Sequence, residues 1–403
     1  MTRRKKFLEI AGALAAILVV VLLLQRAAVP GTGQAPAGTG KSAEIKTPWG
    51  EADFQGIWSV ELVVPLERPP GVTSAFYTDK EVADLDKERA QGSVFGNHIR
   101  AAPGSEADVN GAYNAVFTSQ RPTGRRTSMI IDPPDGKIPP LTPEAQKRQS
   151  ELREYERALM QNTVVCRDKL AGCDGVPYGP PSPRRDEMPP YYLTNAVNRA
   201  DGPEDRSLGE RCMGGFLPQF RGGFTGIYIR VVQSPGTVNI VYDVGQGQGF
   251  TRIVPVTAAP HLPSHIRQTS GDSRAHWQGN TLVVDVTNFS PKRDLQGSRE
   301  NLHLVERWTR TGPDTLEIVY TMDDPTVWTR PWTAIQEFKR QSNEANRIYF
   351  EPRCHEGNYG LPGLLRGNRA DDKAFAQGKG PSPATRCIAG CASPEGRDSL
   401  SLR

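Results

Sequence analysis

Short runs of alternating apolar and polar residues between positions 226 and 351 constrain the fold of this chain more than any other feature. Segments such as Ile227–Val231 and Leu302–Trp308 alternate in this way, and turn-forming residues separate them. A period of two predicts strands with one buried face, and regularly spaced short strands are typical of an antiparallel meander. Because a meander must hide its edge strands, we expect it to close into a barrel or to stack into a sandwich.

We therefore predict a mainly β domain, in which an antiparallel meander closes into a lipocalin-like barrel over about residues 220–356. The preceding part of the chain is expected to add one or two strands and two peripheral helices on the outside of the barrel. Thr78 and Glu81 have the spacing of a capping box, and Thr142 followed by Pro143 is typical of a second helix start.

The N-terminus has the composition of an export signal. Basic residues at positions 3–6 precede an apolar stretch from Ile10 to Leu24, as in a secretory signal peptide or a short membrane anchor. No small-x-small cleavage site follows directly, so both interpretations stay open. Either one predicts a periplasmic or secreted protein, in the second case tethered to the inner membrane.

The domain boundaries follow from composition. Residues 1–26 form the predicted signal peptide or anchor, and the Pro-, Gly- and Ala-rich residues 27–50 a flexible linker. Residues 51–375 are expected to form a single β-rich domain, and residues 376–403 an irregular tail. The formal net charge of +4 lies in residues 1–26, which leaves a neutral body and argues against a nucleic-acid partner.

The cysteines are expected to form disulfides in the oxidising compartment that export implies. Six are present, and six allow 15 connectivities. We expect neighbours in the sequence to pair, so that the remaining bridge ties the two ends of the meander: Cys166 with Cys173, Cys387 with Cys391, and Cys212 with Cys354. A zinc site is the alternative, but no Cys-x-x-Cys spacing supports it. We predict no metal and no cofactor.

Glu306 is the most informative polar residue of the meander. It shares the apolar face of its strand with Leu304 and Trp308, so its carboxylate should point inward and need an Arg or His partner or a raised pKa. His303, three residues earlier, should point to the opposite face.

Further candidates lie within the meander and just after it. Asp272 is the second residue of a Gly-Asp-Ser-Arg block, which we interpret as a turn with an Asp272–Arg274 pair, because the downstream Asp-x-x-His of a serine esterase is missing. Acid–base residues could come from one set: Glu306, His303, His355 and Asp272. Ligand contacts could come from another: Arg274, Trp308, Trp328, Trp332, Arg353, Glu356 and Tyr359.

Several motifs together resemble a widespread family of exported bacterial proteins with no assigned activity. They are Asp272-Ser-Arg-x-x-Trp-x-Gly-x-Thr-Leu-Val-Val-Asp-x-Thr-Asn-Phe289, the segment from Asn301 to Arg307, the segment from Asp324 to Trp332, and Cys354-His-Glu-Gly-Asn-Tyr359. The resemblance runs from about Asp53 to Phe375. It implies export and one continuous domain, and it transfers no catalytic role.

Two functions remain open from the sequence. In the first, the barrel binds a small, partly apolar molecule among Trp and Arg side chains. The alternative is a cofactor-independent hydrolase, lyase or isomerase that uses inward Glu and His groups. We favour binding, because no nucleophile–base pair or metal-ligand set has the required spacing.

Overall fold

The computed structural model describes residues 45–92, 121–188, 199–213, 216–220, 227–245, 248–342 and 354–386. The strands are β1 Gly56–Ser59, β2 Ile130–Asp132, β3 Tyr228–Ser234, β4 Thr237–Gly245, β5 Gln248–Pro255, β6 Asp272–Gln278, β7 Thr281–Thr287, β8 His303–Gly312, β9 Thr315–Asp323 and β10 Trp332–Arg340. The α-helices are α1 Asp79–Gly92, α2 Pro143–Met160, α3 Val164–Arg167, α4 Cys354–Gly357 and α5 Gly360–Ala376.

The strands form one sheet that follows the order of the chain around a nearly closed barrel. Its order is β5-β4-β3-β1-β10-β9-β8-β7-β6, and all these neighbours pair antiparallel. The predicted fold class, a mainly β meander that closes into a lipocalin-like barrel with helices in the N-terminal part, is confirmed.

Strand β1 corrects one detail of that prediction. Instead of lying outside the barrel, β1 completes its wall, because Trp58 pairs in register with Ile229 of β3 on one side and with Arg340 of β10 on the other. The short strand β2 pairs with the other half of β10. Strands β1 and β2, both from the N-terminal part, therefore pair with the two halves of the same strand, β10.

Strands β5 and β6 are the two ends of the antiparallel sheet and meet where the barrel closes. Nine strands alternate in direction around the ring, and an odd number leaves one pair of neighbours running the same way. Val256 and Ala275 accordingly form a parallel bridge, and the Thr257 amide donates to the Ala275 carbonyl at 2.9 Å. Residues 256–271, which we call the crossover, carry the chain from the end of β5 back to the start of β6.

The interior of the barrel is filled by one face of each strand. Alternate residues are buried along β8, β9 and β10, where Leu304, Ile318 and Ala334 are each at most 1 % exposed. This is the period of two that the sequence shows. Burial of these aliphatic and aromatic side chains supplies the main stabilisation of the barrel.

Aromatic side chains pack near both ends of the barrel. Phe54 packs near one end against Trp277, with ring centroids 5.6 Å apart. Phe220 packs near the other end against Tyr320 and Trp332, at 5.2 and 6.2 Å. We call these two aromatic groups the plugs.

The helix starts follow local chemistry. At α1, the Thr78 amide donates to the Glu81 carboxylate at 2.7 Å and the Glu81 amide donates to the Thr78 hydroxyl, which is the predicted capping box. The Thr142 hydroxyl accepts from the Ala145 amide at the start of α2. Helix α5 was missed: residues 360–376 were not recognised as a helix, although Leu361, Leu364 and Leu365 have helical spacing.

Two disulfides are present in the described part of the chain. Cys166 bonds to Cys173, and Cys212 bonds to Cys354 across 142 residues, as predicted. Cys387 and Cys391 lie outside the described residues, as does the predicted leader at residues 1–26. Among the described helices, none has both the length and the apolar character needed to span a bilayer.

Candidate functional site

An ion pair crosses the interior of the barrel. Arg252 of β5 donates from Nη1 to Oε2 of Glu306 of β8 at 2.7 Å. Strands β6 and β7 separate these two strands in the sheet, so the side chains can meet only across the interior. Arg252 is 4 % and Glu306 0 % exposed, and Glu306 points inward as its apolar row predicts.

Neighbouring donors hold part of this pair. Arg252 Nε donates to the Ser273 hydroxyl at 3.0 Å, which links β5 to β6 where the barrel closes. Trp308 Nε1 donates to Oε2 of Glu306 at 3.0 Å. The second guanidinium nitrogen, Nη2 of Arg252, and the second carboxylate oxygen, Oε1 of Glu306, have no hydrogen-bond partner.

Two tyrosines and an amide extend this polar group, which we call the interior cluster (Arg252, Glu306, Tyr242, Tyr320 and Gln336). Glu306 pairs in register with Tyr320 of β9, and the Tyr320 hydroxyl donates to Gln336 Oε1 at 3.3 Å. Nε2 of Gln336 has no partner.

Burial controls the charges in this cluster. It raises the pKa of Tyr242 and of Tyr320, and the nearby Glu306 carboxylate acts in the same direction, so both phenols stay neutral at physiological pH. Burial also lowers the pKa of Arg252, but Glu306 and Tyr242 outweigh that effect and the net shift is upward. Arg252 therefore remains a cation.

The predicted tryptophans lie in the core. Trp308, Trp328 and Trp332 are each at most 1 % exposed, and the rings of Trp328 and Trp332 meet edge to face at 5.5 Å. Nε1 of Trp328 and Nε1 of Trp332 are buried without a hydrogen-bond partner, although buried indole N–H groups usually have one.

A second charged group lies on the outer face of the same strands, and we call it the outer cluster (His261, Asp272, Arg274, Asp285 and His303). His261 of the crossover contacts Asp272 through Nδ1 and Asp285 through Nε2, both at 2.8 Å. Arg274 donates to Asp272, and His303 contacts Asp285, again at 2.8 Å.

The hydrogen bond between His303 and Asp285 shifts the pKa of both groups. The hydrogen bond with Asp285 raises the pKa of His303, against the effect of burial, and the same bond lowers the pKa of Asp285. The His303–Asp285 contact is therefore most stable as an imidazolium–carboxylate pair.

The four acid–base candidates do not converge on one site. Asp272 and His303 belong to the outer cluster, whereas Glu306 faces the interior. His355 is exposed on the short helix α4.

Of the remaining predicted ligand contacts, Tyr359 is 83 % exposed and cannot line the interior. Arg353 and the Glu356 side chain lie outside the described part of the structure. Among described residues, no group of three or more His, Cys, Asp or Glu side chains is arranged to hold a metal ion.

Sequence reasoning missed six of the residues that build the two clusters: Arg252, Tyr242, Tyr320, Gln336, His261 and Asp285. Arg252 lies in the alternating run of β5 between Phe250 and Val254, so the signal that identified Glu306 also marks Arg252 as inward. The role of His261 depends on the path of the crossover over β6 and β7, which no local pattern encodes.

Comparisons with known proteins do not identify the chain. No protein-family model and no curated protein sequence matches it, so the family resemblance of its motifs stays a prediction. Secretory abundant heat soluble protein 4 from Ramazzottius varieornatus shares 12 % identity over 29 % of this chain and 69 % of its own, with a TM-score of 0.20. The wild-type fluorescent protein UnaG shares 13 % over 33 % of this chain and 85 % of its own, with a TM-score of 0.20. Likeness at this level carries no argument about function.

Proposed function

We propose that this protein binds a small, partly apolar molecule inside its barrel. The observation that carries the proposal is the set of buried polar atoms without partners beside the Arg252–Glu306 pair: Arg252 Nη2, Glu306 Oε1 and Gln336 Nε2. Each such atom costs about 1–3 kcal/mol of folding free energy when it stays unsatisfied.

Stability alone does not account for this arrangement. A buried ion pair is often no more stabilising than apolar side chains of the same volume, and the rest of the interior is already aliphatic and aromatic. A ligand that hydrogen-bonds the orphan atoms would remove their cost and place its apolar part against this lining.

Backbone contacts hold the chain at both plugs. Phe54 is fully buried, its amide donates to Gln233 at 2.6 Å, and its carbonyl accepts from Trp58 Nε1 at 2.8 Å. Near Phe220, Arg293 donates a hydrogen bond to the Leu217 carbonyl. Because the inward side chains leave almost no accessible surface, a ligand can occupy the interior only if some of these side chains move.

The acid–base alternative is less well supported. Its candidates divide between the interior and the outer face, and the nitrogens of the outer histidines that face the cluster are all engaged with carboxylates. A catalytic base needs a free lone pair directed at a substrate.

Native mass spectrometry of protein isolated from the periplasm of a bacterial host, combined with titration by the neutral apolar dye N-phenyl-1-naphthylamine, tests the proposal. We expect one co-purified small molecule per chain, or saturable binding of one dye molecule. Glu306→Gln should weaken either complex, whereas Glu337→Gln, an exposed carboxylate on the outside of β10, should not. Absence of both the bound molecule and saturable dye binding would overturn the proposal.

A further inference from the structure

The interior cluster offers both kinds of hydrogen-bonding atom. Nη2 of Arg252 and Nε2 of Gln336 are donors, and Oε1 of Glu306 is an acceptor; all three are buried and unpartnered. The Tyr320 hydroxyl donates to the amide oxygen of Gln336, so the amide nitrogen is the atom of this side chain that lacks a hydrogen-bond partner. A group that satisfies the cluster must both accept from the nitrogens and donate to the carboxylate oxygen.

The interior cluster is also electrically balanced. Its two charged side chains, Arg252 and Glu306, form an ion pair, so their charges cancel within the cluster. Tyr242 and Tyr320 stay neutral because burial raises their pKa values.

A charged ligand would disturb this balance. A bound carboxylate or ammonium would place one uncompensated charge in a solvent-excluded interior, which is far more costly than burying a neutral polar group. A carboxylate also has no proton to donate to Glu306 Oε1, and an ammonium has no lone pair to accept from Arg252 or Gln336.

We infer that the polar end of the ligand is an uncharged group that both donates and accepts hydrogen bonds, a carboxamide or a lactam, attached to an apolar body. The inference rests on the proposed function, because it specifies what the barrel binds.

Three probes with the same chain length separate the possibilities: decanamide, decanoate and decylammonium. Their binding to the wild-type protein is measured by isothermal titration calorimetry at about pH 7, where the carboxyl is ionised and the amine protonated. We expect decanamide to bind at least tenfold more tightly than either charged probe, a difference of about 1.4 kcal/mol.

The variant Glu306→Gln removes the negative charge and keeps the shape. Its cluster then carries the Arg252 charge alone, so we expect decanoate to become the preferred probe. Glu337→Gln, on the outer face, should keep the wild-type order. If circular dichroism shows that Glu306→Gln does not fold, the wild-type ranking alone decides.

The outcomes distinguish the two proposals. Tighter or equal binding of decanoate or decylammonium by the wild-type protein would overturn the inference and leave the binding function standing. No measurable binding of any of the three probes, together with the negative dye titration described above, would remove the binding function itself. A decanamide preference that Glu306→Gln, shown to be folded, leaves unchanged would also overturn the inference, because the selectivity would then not come from the interior cluster.

Discussion

The interior and outer clusters occupy opposite faces of the same strands and are held in different ways. Inside, Arg252 and Glu306 are removed from water, so each charge depends on the other. Outside, His303 and Asp285 keep side-chain exposures of 44 % and 38 %, so water can replace a lost partner. Charge pairs of similar length, 2.7 and 2.8 Å, therefore differ in their energetic consequences, because burial sets the cost of an unpaired charge.

The largest expected effect tests the interior side of this comparison. Arg252→Met leaves the Glu306 carboxylate buried without its cation, and we expect the free energy of unfolding to fall by about 3–5 kcal/mol. The double variant Arg252→Met/Glu306→Leu removes both charges and should recover most of that loss. Urea denaturation of the two variants and the wild type gives the three values.

Arg274→Met provides the outer-face control for this experiment. It removes a cation from Asp272, but His261 and the Leu262 amide still contact that carboxylate, so a loss of about 1 kcal/mol is expected. Equal losses for Arg252→Met and Arg274→Met would contradict the difference between the clusters.

A smaller loss of unfolding free energy is expected when the contact between the outer cluster and the crossover is removed. His261→Ala removes the contacts that link this segment to Asp272 and Asp285, at an expected cost of about 1–2 kcal/mol. Hydrogen exchange should become faster at the Leu262 amide, which donates to Asp272 at 3.1 Å, and stay unchanged along β10.

His265→Ala is the matched control, because His265 is an exposed residue of the same crossover and lies outside the outer cluster. If both alanine variants change exchange at Leu262 equally, the two contacts of His261 do not hold the crossover.

The smallest effect depends on pH. The pKa of His303 is raised from 6.5, so its stabilisation is complete below about pH 6.5 and is lost as the pH rises through the folded-state value. The pKa of Asp285 is lowered from 3.8, so its contribution is present above about pH 4 and is lost as the pH falls through its folded-state value. The pair should therefore stabilise most between about pH 4 and pH 6.5.

We expect His303→Gln to reduce the unfolding free energy by less than about 1 kcal/mol in this window, since the pair is partly exposed. At alkaline pH the reduction should be smaller than in the window. Urea denaturation at about pH 5 and about pH 9 measures the difference. His355→Gln, on the exposed helix α4, should show no such trend, and a pH-independent loss for His303→Gln would exclude a charged imidazole.

Local sequence signals predicted much of the architecture. The alternation along β8 placed Leu304, Glu306 and Trp308 on one face, and the Thr78 and Thr142 caps marked the starts of α1 and α2. These features are local, because the period of a strand and the capping of a helix depend on residues a few positions apart. The position of β1 in the wall was not predicted, because its partners in β3 and β10 lie more than a hundred residues away in the chain.

By itself, the sequence determined that strands with alternating apolar and polar residues form a barrel and that the Glu306 carboxylate points into it. Successive side chains in a strand point to opposite faces, so a residue's position along the strand decides its face. Only the tertiary structure decided that Arg252 meets this carboxylate and that His261 joins Asp272 to Asp285. Those contacts join strands and a crossover that are distant along the chain, and their geometry exists only once the ring of strands has closed.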